Sequence, residues 1–295
     1  MINKIKIDQI FVLPLLLLVF YLFNSSHNFF VLGNELSFFT ILFSCITIEF
    51  FIRKAKNGDD IYMRPISAMQ AMEEAVGRAT EMGNSVLYVP GISGLDEIDT
   101  ISGVIILGHI AGMTAEYEAD LHVPCCVPIV MEAARESCKE SYLKKGRPDL
   151  YNDSMVHYVT DDQFAYAAGV NGIMLREKPA AVFYQGKFYA ESLLLAETGS
   201  SIGAIQIAGT GSSSQIPFFV TACDYVLIGE EFYAASAYLS GSPEMIGSIK
   251  GQDYVKLLCM LFILFVVLVS VFNYFNLLTI DLSNIFKINI LDGVN

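Results

Sequence analysis

The sequence predicts an α/β domain with a mostly parallel sheet, attached to a membrane by three helices. Six short, almost wholly apolar runs alternate with segments whose apolar residues recur at helical spacing. This alternation is typical of a parallel sheet with helices on both faces, because strands buried on both faces are continuously apolar. We therefore expect a Rossmann-like or flavodoxin-like three-layer sandwich, and the pattern leaves the strand order open.

Three apolar stretches outside the α/β block predict the membrane helices. Ile10–Phe23, extended back to Ile5, and Leu257–Ile280 are long enough to span, since a spanning helix needs about 17–25 residues. Phe29–Ile52 is a third candidate, and we expect its Glu49 to pair with Arg53 one turn later. No small-residue cleavage site follows the first stretch, so we interpret it as an uncleaved anchor.

Basic residues next to these stretches predict the topology. They precede the first span, follow the second and precede the third: Lys4, Lys6, Arg53, Lys54, Lys56, Lys250 and Lys256. The positive-inside rule then puts the N-terminus and the large domain in the cytoplasm and the C-terminus outside. The expected domains are a membrane hairpin (1–56), a cytoplasmic α/β domain (57–250), a transmembrane helix (251–282) and an external tail (283–295).

Composition excludes some functions. The chain has a net charge of −13, which argues against a nucleic-acid partner, because phosphate binding needs clustered Lys and Arg. Its six cysteines form no CxxC pair and no Cys/His cluster at zinc spacing, so we predict no metal site and reduced, buried thiols.

The periodicity predicts the following elements. The strands are Ser85–Val89, Leu121–Val127, Met155–Val159, Ala180–Tyr184, Ala204–Ala208 and Tyr225–Ile228. The helices are Ile66–Met82, Ile98–Tyr117, Pro128–Lys145, Gln163–Asn171, Phe188–Thr198, Gln215–Cys223 and Glu230–Leu239. Ligands of such sheets lie beyond the carboxyl ends of the strands. That rule singles out four loops: Pro90–Thr100, Thr160–Asp162, Gly209–Gln215 and Gly229–Glu231.

The run from Gly209 to Ser214 (GTGSSS) follows a predicted strand and opens a predicted helix. Its amides and hydroxyls could cradle a phosphate or carboxylate at the helix N-terminus. It lacks the Gly-Lys-Ser/Thr of a Walker A motif and is an incomplete GxGxxG, with Ser214 in place of the third glycine. A structural turn, a dinucleotide site and another anion site all remain open.

The remaining candidates are carboxylates near the other loops. Asp96, Glu97 and Asp99 begin a helix, where they either favour its dipole or hold a divalent cation. The predicted ligand-binding residues are Gly91, Ser93, Gly94, Asp96, Asp161, Gly209, Thr210, Gly211, Ser212 and Ser213. The candidates for acid/base catalysis are Glu197, Glu230 and Glu231.

Several motifs resemble a known family. They are Tyr88–Gly91 (YVPG), Asp161–Gly169 (DDQFAYAAG), Ala196–Gly199 (AETG), Ala208–Thr210 (AGT) and Cys223–Glu231 (CDYVLIGEE). Together they are similar to a prokaryotic membrane-protein family known only as a domain of unknown function. The resemblance implies a membrane-anchored cytoplasmic α/β domain in a prokaryotic cytoplasmic membrane, and it implies no activity, cofactor or catalytic residue.

Two functions follow as hypotheses. The first is a membrane-anchored module that binds a small anionic or nucleotide-like ligand, assembles into a homo-oligomer or membrane complex, or does both. The second is an enzyme that acts on a phosphorylated, nucleotide or lipid-linked substrate at the inner membrane face. No Lys or Arg adjoins the glycine loop in sequence, which favours the first.

Overall fold

A computed structural model describes residues 35–58 and 66–275 of this chain. The described residues fall into two compact units, one of residues 66–241 and one of residues 35–58 together with 242–275. The first predicted span, the loop after it and the external tail lie outside the described residues.

The larger unit contains a six-stranded, wholly parallel sheet. The strands are β1 (Val86–Val89), β2 (Leu121–Cys125), β3 (Val156–Tyr158), β4 (Ala181–Gln185), β5 (Ile205–Thr210) and β6 (Tyr225–Ile228). Their order is β3-β2-β1-β4-β5-β6. This is the Rossmann order and not the flavodoxin order, and its topological switch point lies between β1 and β4.

Helices cover both faces of this sheet, as predicted. They are α2 (Ser67–Met82), α3 (Ile98–Tyr117), α4 (Pro128–Lys144), α5 (Gln163–Glu177), α6 (Glu191–Ser201), α7 (Ile216–Ala222) and α8 (Glu230–Ser240). Local signals set several ends. Gly83 closes α2 with φ 66°, Pro128 opens α4, and Asp162 caps α5.

Alternate side chains of the central strands β1 and β4 point into two separate cores. Tyr88 and Phe183 belong to the core under α2, α3, α4 and α8. Leu87 and Tyr184 belong to the core under α5, α6 and α7. Because parallel strands between two helical layers are buried on both faces, all residues of β1 and β4 are buried.

The predicted bounds of two helices were wrong. Helix α5 runs on to Glu177, six residues past the predicted end at Asn171. The burial of Met174 in the core explains the extension, since packing outweighs the low helix propensity of glycine. Helix α6 begins and ends three residues later than predicted, because residues 186–190 form the turn after β4.

The smaller unit contains α1 (Glu35–Lys56) and α9 (Pro243–Tyr274). These helices are antiparallel neighbours that approach closely at two glycines. A Cβ on Gly247 would lie 2.5 Å from the Cα of Ile52, and one on Gly251 would lie 2.6 Å from the Cα of Ile48. Gly247 and Gly251 form a GxxxG motif, which allows close contact between helix backbones.

The expectation of three spanning helices is only partly met. Among the described residues, two helices are long and apolar enough to cross a membrane. One is α3, of which 67% of the apolar window is buried inside the domain, and the other is α9, of which 6% is buried. Helix α1, on which the second predicted span falls, is not one of these two; it has charged residues at both ends and Glu49 within it. The expected pairing is confirmed, because Arg53 Nε donates to Glu49 Oε1 at 2.6 Å.

Candidate functional site

The carboxyl edge of the sheet brings together the four predicted loops. Because all six strands are parallel, the loops after β1, β3, β5 and β6 leave the sheet at this edge. The loop of residues 186–190, after β4, also borders the switch point, and sequence reasoning missed it. Its only local signal was the turn residue Gly186, whose role depends on its neighbour β1.

At the switch point, the backbone of the loop after β1 contacts the backbone of the loop after β4 and closes the crevice between them. The amide of Ile92 donates to the carbonyl of Lys187 at 3.1 Å. A Cβ on Gly91 would lie 2.5 Å from the Lys187 carbonyl oxygen, and one on Gly186 would lie 2.5 Å from the Pro90 carbonyl oxygen. Both glycines have positive φ (79° and 144°), so these positions require glycine for the approach and for the conformation.

An ion pair crosses the same crevice. Lys187 Nζ lies 2.5 Å from Glu97 Oε1, and this contact raises the pKa of Lys187. Lys187 was one of the two basic residues nearest the glycine loop in sequence. In the fold its ammonium pairs with Glu97 on the loop after β1.

Asp99 joins three of the predicted segments. Its Oδ2 accepts from the amide of Gly211 at 3.2 Å, and its Oδ1 accepts from the hydroxyl of Tyr233 on α8. Asp99 is 7% exposed. Burial and the contact with Asp99 raise the pKa of Tyr233, so its hydroxyl remains a donor at neutral pH. The amide of Gly211, which was predicted to bind a ligand, therefore donates to the carboxylate of Asp99 within the domain.

The glycine loop is packed tightly against its neighbours. A Cβ on Gly211 would lie 2.0 Å from the Tyr233 hydroxyl oxygen, and one on Gly209 would lie 2.1 Å from Gln185 Oε1. The amide of Ser212 donates to the Thr210 hydroxyl at 3.2 Å. The glycines thus make room for neighbouring side chains of the fold.

Gln185, at the end of β4, is a polar residue that the sequence analysis did not single out. It is fully buried, and its Nε2 donates to the carbonyl of Ile207 at 3.1 Å. Its Oε1 has no hydrogen-bond partner among the residues that the structure describes. A buried acceptor without a partner is costly, which makes Gln185 a candidate contact for a bound molecule.

A second polar cluster surrounds Glu191 on the opposite face of the sheet. Its buried carboxylate accepts from Gln163 Nε2 and, at 2.9 Å, from the amide of Tyr189. The neighbouring Ser192 donates to Gln215 Oε1 at 2.7 Å. Sequence reasoning missed Glu191, because a carboxylate in the first turn of a helix is ordinary.

The other predicted residues do not form one site. Asp161 is exposed, whereas Asp162 caps α5 by accepting from the amide of Ala165 at 2.8 Å. Glu230 and Glu231 are in the first turn of α8, whereas Glu197 lies nearly two turns along α6 and is exposed. Within the described ranges no group of three or more His, Cys, Asp or Glu residues could hold a metal ion.

Burial makes the cysteines of the domain poor nucleophiles. It raises the pKa of Cys125, Cys138 and Cys223 to about 12 and that of Cys126 to about 11. Asp161 raises the pKa of Cys126 further. Since the thiolate is the reactive form, these four thiols are inert at neutral pH.

Comparison with known proteins yields one match. A family model described as a domain of unknown function, DUF6754, matches residues 25–280. No curated protein and no solved structure matches the chain.

Proposed function

The chain belongs to the DUF6754 family, a domain of unknown function, and from its geometry we propose that it is a membrane-anchored module for protein assembly. In this proposal the α/β domain lies in the cytoplasm, as the basic flanks of the predicted spans indicate. It associates with further copies or with other proteins of the membrane. The proposal rests on one observation. Polar groups at the carboxyl edge form hydrogen bonds and ion pairs with other residues of the domain.

Three carboxylates at that edge serve the fold. Asp99 binds the glycine loop and Tyr233, Glu97 pairs with Lys187, and Glu191 accepts two hydrogen bonds while buried. A general acid or base needs to reach the proton that it transfers. Groups that are already bonded within the fold suit a rigid scaffold better than a reaction centre.

The membrane part of the proposal rests on α9. This helix has 32 residues, more than the roughly 17–25 that a span requires. From Leu257 to Phe275 its large apolar side chains are mostly exposed within this chain, as expected for contact with lipid. The first predicted span and α1 complete the anchor in the proposed topology.

Native mass spectrometry of the full-length protein, gently extracted from membranes, tests this function. We expect a fixed multiple of the subunit mass, or a discrete complex with other proteins. A monomer without any protein partner, in several mild detergents, would refute the proposal.

A small-ligand site beside Gln185, at the carboxyl end of β4, is a second candidate function. Gln185 Oε1 favours it, since this acceptor is buried and unpartnered among the described residues at the end of β4. A nucleotide-like ligand of the kind that the Rossmann order suggests would have to supply an N–H or O–H donor to this oxygen. The same spectra would then contain a discrete mass excess for each chain, and a bare subunit mass would count against the ligand.

The enzymatic alternative makes a separate prediction. If Glu230 and Glu231 moved protons for a phosphorylated, nucleotide or lipid-linked substrate, replacement of both by Gln would abolish the cellular function. Full cellular function of this double variant would exclude Glu230 and Glu231 as an acid/base pair.

A further inference from the structure

The carboxyl edge of the sheet carries large apolar side chains in exposed positions. Helices α3 to α7 each have one in the first turn: Ile98 (67% exposed), Ile129 (61%), Phe164 (57%), Leu194 (43%) and Phe218 (40%). Helix starts are ordinarily polar, because the free amides of the first turn favour Ser, Thr, Asp or Asn at the preceding residue and carboxylates within the turn. Repetition on five successive helices makes this edge unusual.

These side chains belong to one edge, because each strand of a parallel sheet ends where the next helix begins. The last residues of β3 and β6, Tyr158 (43% exposed) and Ile228 (47%), add to them. Helices α5, α6 and α7 pack successively against one another, as do α3 and α4. We call these seven residues the carboxyl-edge face.

The same edge is strongly acidic. In the loops and first turns (residues 90–101, 126–131, 159–166, 186–194, 211–219 and 229–232) there are eight acidic residues and one basic residue, a formal charge of −7. The acidic residues are Asp96, Glu97, Asp99, Asp161, Asp162, Glu191, Glu230 and Glu231, and the basic residue is Lys187. The positive ends of the helix dipoles offset only part of this charge.

We infer that the carboxyl-edge face is a docking surface for a basic, apolar segment of a partner protein. The exposed apolar side chains supply the area to be buried, and the exposed carboxylates of Asp96, Asp161 and Asp162 select Lys or Arg on the partner. An anionic lipid surface would be repelled by the acidic edge. Two copies meeting through this face would oppose like charges, which disfavours a face-to-face dimer. The inference rests on the proposed function, assembly, and names the surface that assembly uses.

The test uses the full-length protein in nanodiscs of zwitterionic lipid and a labelled synthetic peptide of leucine and lysine. A leucine–glutamate peptide of equal length is the charge control, and empty nanodiscs give the blank. We expect the lysine peptide to bind, with an affinity that falls as salt is added, and the glutamate peptide not to bind. Equal binding of both peptides would overturn the inference.

A matched pair of triple variants locates the binding. Ile129→Ser, Phe164→Ser and Phe218→Ser together should weaken peptide binding about tenfold or more, as expected for loss of apolar anchors. The control replaces three apolar residues of similar exposure at the opposite ends of helices: Met82 (61%), Leu143 (56%) and Leu175 (57%), each by Ser. The control should change binding less than twofold, because it lies outside the carboxyl-edge face.

The same preparations separate the two hypotheses. If both triple variants bind the peptide as the unchanged protein does, the carboxyl-edge face is not the docking surface. If native spectra still contain a fixed assembly, the proposed function survives that result. A monomer that binds no peptide would refute both.

Discussion

Replacement of Asp99 by Asn tests whether this carboxylate holds the glycine loop in place. The unchanged side chain accepts from the Gly211 amide at 3.2 Å and from the Tyr233 hydroxyl. An Asn can accept only one of these bonds and turns an amide N–H toward the other donor. A hydrogen bond to a charged group is worth about 1.5–3 kcal/mol, so we expect a loss of about 2–3 kcal/mol in the free energy of unfolding.

Urea unfolding of the full chain in mild detergent, followed by circular dichroism, measures this loss. With a slope of about 2 kcal/mol per molar urea, the midpoint should fall by roughly 1–1.5 M. Tyr233→Phe should cost about 1–2 kcal/mol, since it leaves one carboxylate oxygen without its donor. The double variant should lose less than the sum of the two single losses, because the residues share one contact.

The exposed Asp96 is the matched control. Asp96→Asn should stay within about 0.5 kcal/mol of the unchanged protein, as surface substitutions usually do. If Asp99→Asn also stayed within that margin, Asp99 would not hold the loop, and the anion-binding interpretation of Gly211 would regain its basis.

The remaining predictions concern the helix pair, a thiol and the second carboxylate. The rings of Phe51 and Tyr254 stack at 4.5 Å, so the double variant Phe51→Cys, Tyr254→Cys should form a disulfide on oxidation. Adding Gly251→Leu should abolish this disulfide. If the disulfide persisted, the close approach of α1 and α9 would be contradicted. Burial raises the pKa of Cys138 from 9.0 to about 12, so its thiol contributes stability that is complete below pH 9 and lost as the pH rises toward 12. The urea midpoint should therefore fall between pH 9 and 11, less steeply in Cys138→Ala, and an identical slope would be inconsistent with this effect. Glu191→Gln should cost about 2 kcal/mol, because one of its two donors then meets an amide N–H; an unchanged urea midpoint would contradict the structural role of Glu191.

The order of elements was predictable because it depends on short-range patterns. All six strands and all the helices from α2 to α8 were located from apolar runs, helical spacing and end signals such as Pro128 and Gly83. The cap of α5 is equally local, since Asp162 accepts from the amide of Ala165 three residues later. These features need only neighbouring residues to form.

The candidate site was predictable only as a set of loops. A parallel sheet collects the loops at one edge, so the positions of Gly91, Asp99 and Gly211 followed from the strand assignment. Their contacts did not follow, since Asp99 lies 112 residues before Gly211 in the chain. The roles of Gln185 and Glu191 could not be predicted for the same reason, because their contacts also join residues that are distant in the chain.

The sequence by itself determined the class of the domain, the alternation of its strands and helices, and the apolar segments beside it, because local periodicity and hydropathy encode them. Only the tertiary structure decided the strand order, the closure of the crevice by Gly91 and Gly186, and the use of Asp99 as the internal partner of the glycine loop. Each of these depends on which strands become neighbours. Neighbours in a sheet are selected by packing between residues distant in the chain, which no short stretch of sequence records.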